Sequence, residues 1–165
     1  MEERRRGLFQ EILAEMDRAY DLMLEYDSMP HRYGDDTLYQ AEAHTIQEIG
    51  RCPGITVTDL AARMGKTPSA CSQQVRKLRE KGWVSQTRNR ANNREYNLEL
   101  TDHGWAIFRS HEAFDHQCHL RNYERLSAFS EQQLCTYLAV QREINAVFEL
   151  DVQENQELFG DIPQK

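Results

Sequence analysis

Apolar residues return every three or four positions at Leu8, Ile12, Met16, Ala19 and Met23, the period of one helix face, and predict an amphipathic helix over about 5–27. The segment SMPHRYGDD at 28–36 carries Pro30 and Gly34 and is expected to be a connecting loop. A second helix is predicted over 37–50, broken by Pro53 and Gly54. Two short helices with explicit start signals follow: Thr56 with Asp59 three residues on, and Thr67 with Pro68 at the first helical position. Met64, Gly65 and Lys66 form the turn between them. Beyond Gly82, WVSQTRN and EYNLELT alternate apolar and polar residues about a polar tip at 90–94, the period of a two-stranded hairpin. Thr101-Asp102 starts a helix predicted to reach about Phe129. Ser130 with Gln133 caps a last helix carrying Leu134, Leu138, Ile144, Val147 and Phe148. The tail at 151–165 is polar and is expected to fray.

This order predicts a mainly α fold with a small β-wing. A winged helix-turn-helix lobe at 51–101 is flanked by helices at 5–50 and 102–150, and 1–165 form one unit. Two terminal amphipathic helices beside a small lobe have apolar stripes that need a partner, so the flanks are expected to be dimerisation helices. With 165 residues, 39% of them hydrophobic, one domain with a core is affordable and two independent ones are not. No apolar run reaches the roughly 20 residues of a bilayer crossing. The opening MEERRRGLFQ has no apolar signal region, so a cytoplasmic protein without a membrane role is expected. Cys52, Cys71, Cys118 and Cys135 form no CxxC pair, which argues against a disulfide framework or a zinc ribbon.

Charge changes the picture. The net charge of −7 looks wrong for a polyanion binder, yet residues 51–95 hold ten basic residues against three acidic ones. That local balance of +7 leaves −14 for the remainder and marks the lobe as the place for a polyanion. In its second helix Cys71, Val75 and Leu78 fall at helical spacing and are expected to be buried. The opposite face presents Ser69, Ser72, Gln73, Arg76 and Lys77, groups that donate to phosphates and base edges. A helix of this width enters the major groove while the hairpin reaches the neighbouring backbone or minor groove. Double-stranded DNA is therefore the expected partner. Gln73 and Arg76, one turn apart, are the candidates for base readout. Ser69 and Ser72, with Thr67, Lys77 and Arg88, supply phosphate or base contacts, and Arg90 and Arg94 sit at the wing tip.

The run from Gly54 to Gly104 resembles the core of the MarR family of transcriptional regulators. Leu60-Ala61, Leu78, Gly82-Trp83-Val84, Asn93-Arg94 and Leu100-Thr101-Asp102-His103-Gly104 occupy the positions of that family's motifs. Asn93 stands where the family's wing has an aspartate, so the ion pair that the resemblance implies for orienting Arg94 is not expected from this residue. The resemblance implies a homodimer on a pseudo-palindromic operator, a repressor in the first reading. Its release is implied to follow when an effector enters between the dimer helices and the DNA-binding lobe.

A second constellation lies in SHEAFDHQCHLR, where His111, Asp115, Cys118 and His119 project from one helix face. Zinc-responsive members of the family place a metal near this helix. The resemblance aligns His111 and His44 with their histidines and Asp115 with another, and Glu25 loosely with their first-helix carboxylate. Zinc or another divalent transition metal is thus one candidate effector, and an anionic or aromatic small molecule the other. Tyr33-Gly34 and Leu38-Tyr39 add aromatic residues to the same region, expected to be core. Two other functions fit parts of the pattern: a zinc-dependent enzyme using His and Asp of adjacent helices, and a winged-helix module that binds protein. Against the enzyme stands the lack of a nucleophile elbow, a phosphate-binding glycine loop or HExxH. Against the protein-binding module stands the basic lobe.

Overall fold

In the computed structural model, residues 2–89, 92 and 95–160 are described. The order is α1 (Glu2–Ser28), β1 (Pro30–Tyr33), β2 (Asp36–Tyr39), α2 (Gln40–Arg51), β3 (Ile55–Thr56), α3 (Val57–Arg63), α4 (Pro68–Glu80), β4 (Val84–Arg88), β5 (Tyr96–Leu100), α5 (Asp102–Leu126) and α6 (Glu131–Phe159). The architecture is a mainly α chain with a small β-wing, as expected. No helix among the described residues is long and apolar enough to cross a membrane.

The start signals act as read. The hydroxyls of Thr56, Thr67, Thr101 and Ser130 accept from the backbone N–H of Asp59, Ala70, Gly104 and Gln133. Ser130 also has the reciprocal bond, its own N–H donating to Gln133 Oε1 at 2.8 Å.

The core lies in the lobe and in the helix before it. Ile46 and Ile49 of α2, Leu60 of α3, Leu78 of α4, Leu98 of β5 and Ile107 of α5 are buried together with Trp83 and Val84. The helix and wing are joined where Gly82-Trp83 meets Leu100-Thr101. Thr101 N–H donates to Trp83 O at 3.1 Å, and its hydroxyl donates to Gly82 O at 2.7 Å while accepting from Gly104 N–H at 3.1 Å. A Cβ at position 104 would collide with the Trp83 carbonyl, so the Leu-Thr-x-x-Gly spacing is the price of letting α5 start against the wing.

Several elements differ from the sequence expectation. The segment at 28–36 is part of a hairpin, and α2 starts at Gln40 instead of 37: β1 and β2 pair antiparallel, Pro30 to Tyr39 and Tyr33 to Asp36. Gly34 at φ 64 supplies the positive φ of its two-residue turn, and Tyr33 and Leu38 pin the hairpin to the core. Strands of four residues, one opening on proline, are too short to show a period. Strand β3, two residues long, pairs with β5 to give the order β3-β5-β4. The polar tail is helical to Phe159, closed by Gly160 at φ 70. Its Gln, Glu and Asn side chains bond along the helix, Gln153 Nε2 to Glu157 at 3.1 Å among them, so polarity there signals an exposed helix. Helix α5 ends at Leu126, three residues before the expected limit, where the Ser127 hydroxyl donates to Glu124 O at 2.6 Å.

Candidate nucleic-acid interface

Helix α4 is positioned by its own apolar stripe. Cys71, Val75 and Leu78 are buried, and burial pushes the Cys71 thiol above its ordinary pKa, so it is packing and not a reactive thiolate. On the other side Ser69, Ser72, Gln73, Arg76 and Lys77 are all exposed, as is Arg88 at the end of β4. The Thr67 hydroxyl is already engaged as the cap, accepting from Ala70 N–H at 3.2 Å. Arg76 Nε lies 3.1 Å from Glu80 on the next turn, which extends the guanidinium along the helix. Arg90, Arg94 and Asn93 lie outside the described residues. At the base of the wing, Asn89 N–H donates to Glu95 O at 3.0 Å and Asn89 Nδ2 to Asn97 Oδ1 at 3.0 Å.

Sequence reading missed two residues here. Arg79 and Gln86 share an open groove with Arg76, Glu80 and Ser85, between the end of α4 and β4. Arg79, one turn after Arg76, was countable among the basic residues; Gln86 enters only through the packing of strand on helix. Other cations of the basic segment face inward to carboxylates of α2 and α5. Arg63 Nε lies 2.8 Å from Glu48, and Arg51 bridges Glu48 at 3.7 Å and Glu112 at 3.1 Å. The basic balance of the segment therefore overstates the charge available to a ligand.

The second constellation is assembled only in part. His111 is fully buried, 5.6 Å from the His44 ring, 5.0 Å from the Tyr33 ring, and with Nδ1 3.4 Å from Asp115 Oδ2. Neither ring nitrogen has a hydrogen-bond partner among the described residues, the Asp115 approach being too poorly aligned to count as one. Burial pushes the imidazole below its ordinary pKa, His44 and Arg51 add to this, and Asp115 and Glu112 oppose it. Burial also raises the Tyr33 phenol to about 12, and its hydroxyl donates to Gln40 Oε1 at 2.8 Å.

A metal does not fit the residues as placed: among the described residues no group of three or more His, Cys, Asp and Glu is disposed to hold one. The reasons are local. Asp115 accepts from Gln47 Nε2 at 3.3 Å, and the His44 and His111 rings meet edge to face at 86°. The Glu25 main-chain carbonyl accepts from the Ser28 hydroxyl at 2.7 Å. Cys118 Sγ accepts from Arg121 at 3.6 Å, and His119 is exposed.

Residues 44–85 match the family model described as winged helix-turn-helix DNA-binding. No curated protein sequence matches the chain. Among solved structures, FabT of Streptococcus pneumoniae in complex with DNA is similar at 22% identity over 86% of this chain and 97% of that one, with TM-score 0.66. ZitR of Lactococcus lactis, a zinc-responsive MarR family member, is similar at 18% identity over 82% and 97%, with TM-score 0.69. The MepR–DNA complex of S. aureus is similar at 23% identity over 86% and 95%, with TM-score 0.51.

Proposed function

For a chain that carries a winged helix-turn-helix DNA-binding module in the fold of MarR-type regulators, we infer a DNA-binding transcription regulator, a repressor, that grips a pseudo-palindromic operator as a homodimer. The observation that carries this reading is the exposed face of α4, with Gln73 and Arg76 one turn apart, Ser69, Ser72 and Lys77 around them, and the wing alongside. FabT and MepR, similar in fold, were solved with DNA. The dimer is supported by α1 and α6, which have no buried residue and line one apolar groove with Leu8, Ile12, Met16, Tyr137, Val140 and Ile144. We place the effector that sets affinity beside His44 and His111, where both nitrogens of the buried His111 ring are without a hydrogen-bond partner among the described residues. A small molecule suits these residues better than a metal ion.

A salt series of gel shifts on a palindrome from the gene's own promoter tests the reading. Gln73→Ala and Arg76→Ala should each cost about 1–3 kcal/mol on that site and relax its sequence preference. Unchanged affinity in both variants removes α4 as the reading helix.

A further inference from the structure

Glu42 is a carboxylate that the sequence places at the start of α2 with no evident role, and the structure buries it to 8% exposure. A charge taken out of water that far is costly unless both oxygens are engaged. Both are. Oε2 accepts from Tyr39 N–H at 3.2 Å, closing the first turn of α2, and Oε1 lies 2.6 Å from Lys81 Nζ. Lys81 is the C-cap of α4, its N–H bonded to Lys77 O. The ammonium also sits 4.5 Å from the centre of the Trp83 ring, and buried Trp83 leads into β4. One carboxylate thus ties together the N-terminus of α2, the C-terminus of the helix that carries Gln73 and Arg76, and the root of the wing. A half-exposed basic residue of the lobe is drawn onto a buried carboxylate to do it.

We propose that Glu42, through Lys81, is a positioning residue for sequence discrimination: the clamp holds the end of α4 and the first wing strand at the angle where Arg76 meets base edges. This rests on the DNA-binding reading above. Release of the clamp leaves every phosphate-facing cation in place, so general attraction to DNA persists while the match to one sequence is lost.

The test uses the full chain, which first selects duplexes from a random pool. The selected duplex and a scrambled one of equal length are then titrated across a salt series with Glu42→Gln, Lys81→Met and the double variant, and thermal unfolding is followed in parallel. Each single variant is expected to lower affinity for the selected duplex about tenfold, with the scrambled duplex and the slope of log affinity against log salt unchanged. The double variant should lose no more than either single one, and Lys81→Arg should restore discrimination.

If Lys81→Met reduces the salt slope by about one on both duplexes, Lys81 is a phosphate contact and the clamp is overturned. A lower unfolding temperature with an unchanged ratio of the two affinities overturns it as well, since the pair is then only structural. Should Glu42→Gln fail to fold, Lys81→Met and Lys81→Arg still decide, because the Lys81 side chain is 41% exposed. A pool from which nothing is enriched overturns the DNA-binding reading and the clamp with it; enrichment followed by an unchanged affinity ratio overturns the clamp alone.

Discussion

The central lobe and the terminal helices of this chain solve the problem of apolar surface in opposite ways. The lobe closes on itself: α2, α3, α4, the sheet and the start of α5 bury a continuous core in which Leu38, Ile46, Leu60, Leu78 and Leu98 are fully enclosed. Helices α1 and α6, 27 and 29 residues long, enclose nothing, and Leu8, Phe9, Tyr137, Val147 and Phe148 are exposed along them. Exposed apolar stripes of that extent are the kind of surface on which another chain packs, as proposed above. The lobe buries its own apolar surface, and the long helices leave theirs exposed in the single chain. The two regimes join at α2, the β1–β2 hairpin and α5, where the rings of His44 and Tyr33 both meet His111.

Three experiments break or sharpen that contrast. The largest effect is expected inside the lobe. Leu78→Ala removes a fully buried side chain and should cost about 2–5 kcal/mol, read by urea unfolding and independent of protein concentration. A loss under 1 kcal/mol would mean the lobe is packed far more loosely than its burial indicates. Next comes the terminal groove: Ile12→Glu, on a residue 41% exposed in the single chain, should shift sedimentation from dimer to monomer and remove the concentration dependence of the unfolding temperature. An unchanged dimer would place the interface elsewhere.

The smallest effect is expected at the join. Because His111 titrates below its ordinary value in the folded chain, the unfolded chain binds the extra proton first. Its contribution to stability is therefore complete above about pH 6.5, the ordinary imidazole value, and is lost as the pH falls toward the lowered folded value. His111→Phe should flatten that limb of an unfolding-against-pH profile between pH 7 and pH 5. A profile identical to the unaltered chain would show that His111 does not titrate with folding.

Much of the lobe was legible because its signals are local. The buried stripe of α4 is three residues at helical spacing, and the motif from Leu100 to Gly104 encodes a turn that completes itself within five residues. The hairpin β1–β2 was not legible: its inward residues are only Tyr33 and Leu38, and a loop with Pro30 and Gly34 has the same composition. Of the expected interface, the exposed residues of α4 were found, while Arg79 and Gln86 needed the groove between helix and strand. Of the expected metal cluster, His111 was brought beside both His44 and Asp115, while among the described residues no group of three or more His, Cys, Asp and Glu is disposed to hold a metal.

By itself, then, the amino-acid order determined where α3, α4 and α5 begin, which face of α4 turns inward, and that two long apolar stripes flank a basic centre. Caps and stripes act over three or four residues, and such bonds form wherever the local sequence allows them. Only the tertiary structure decided that Glu42 holds Lys81 across 39 positions and that Gln47 reaches Asp115 across 68. It alone enclosed His111 without a hydrogen-bond partner among the described residues. Pairings at that separation are set by how helices pack against one another, and a carboxylate that will be buried looks in sequence like one that will be solvated.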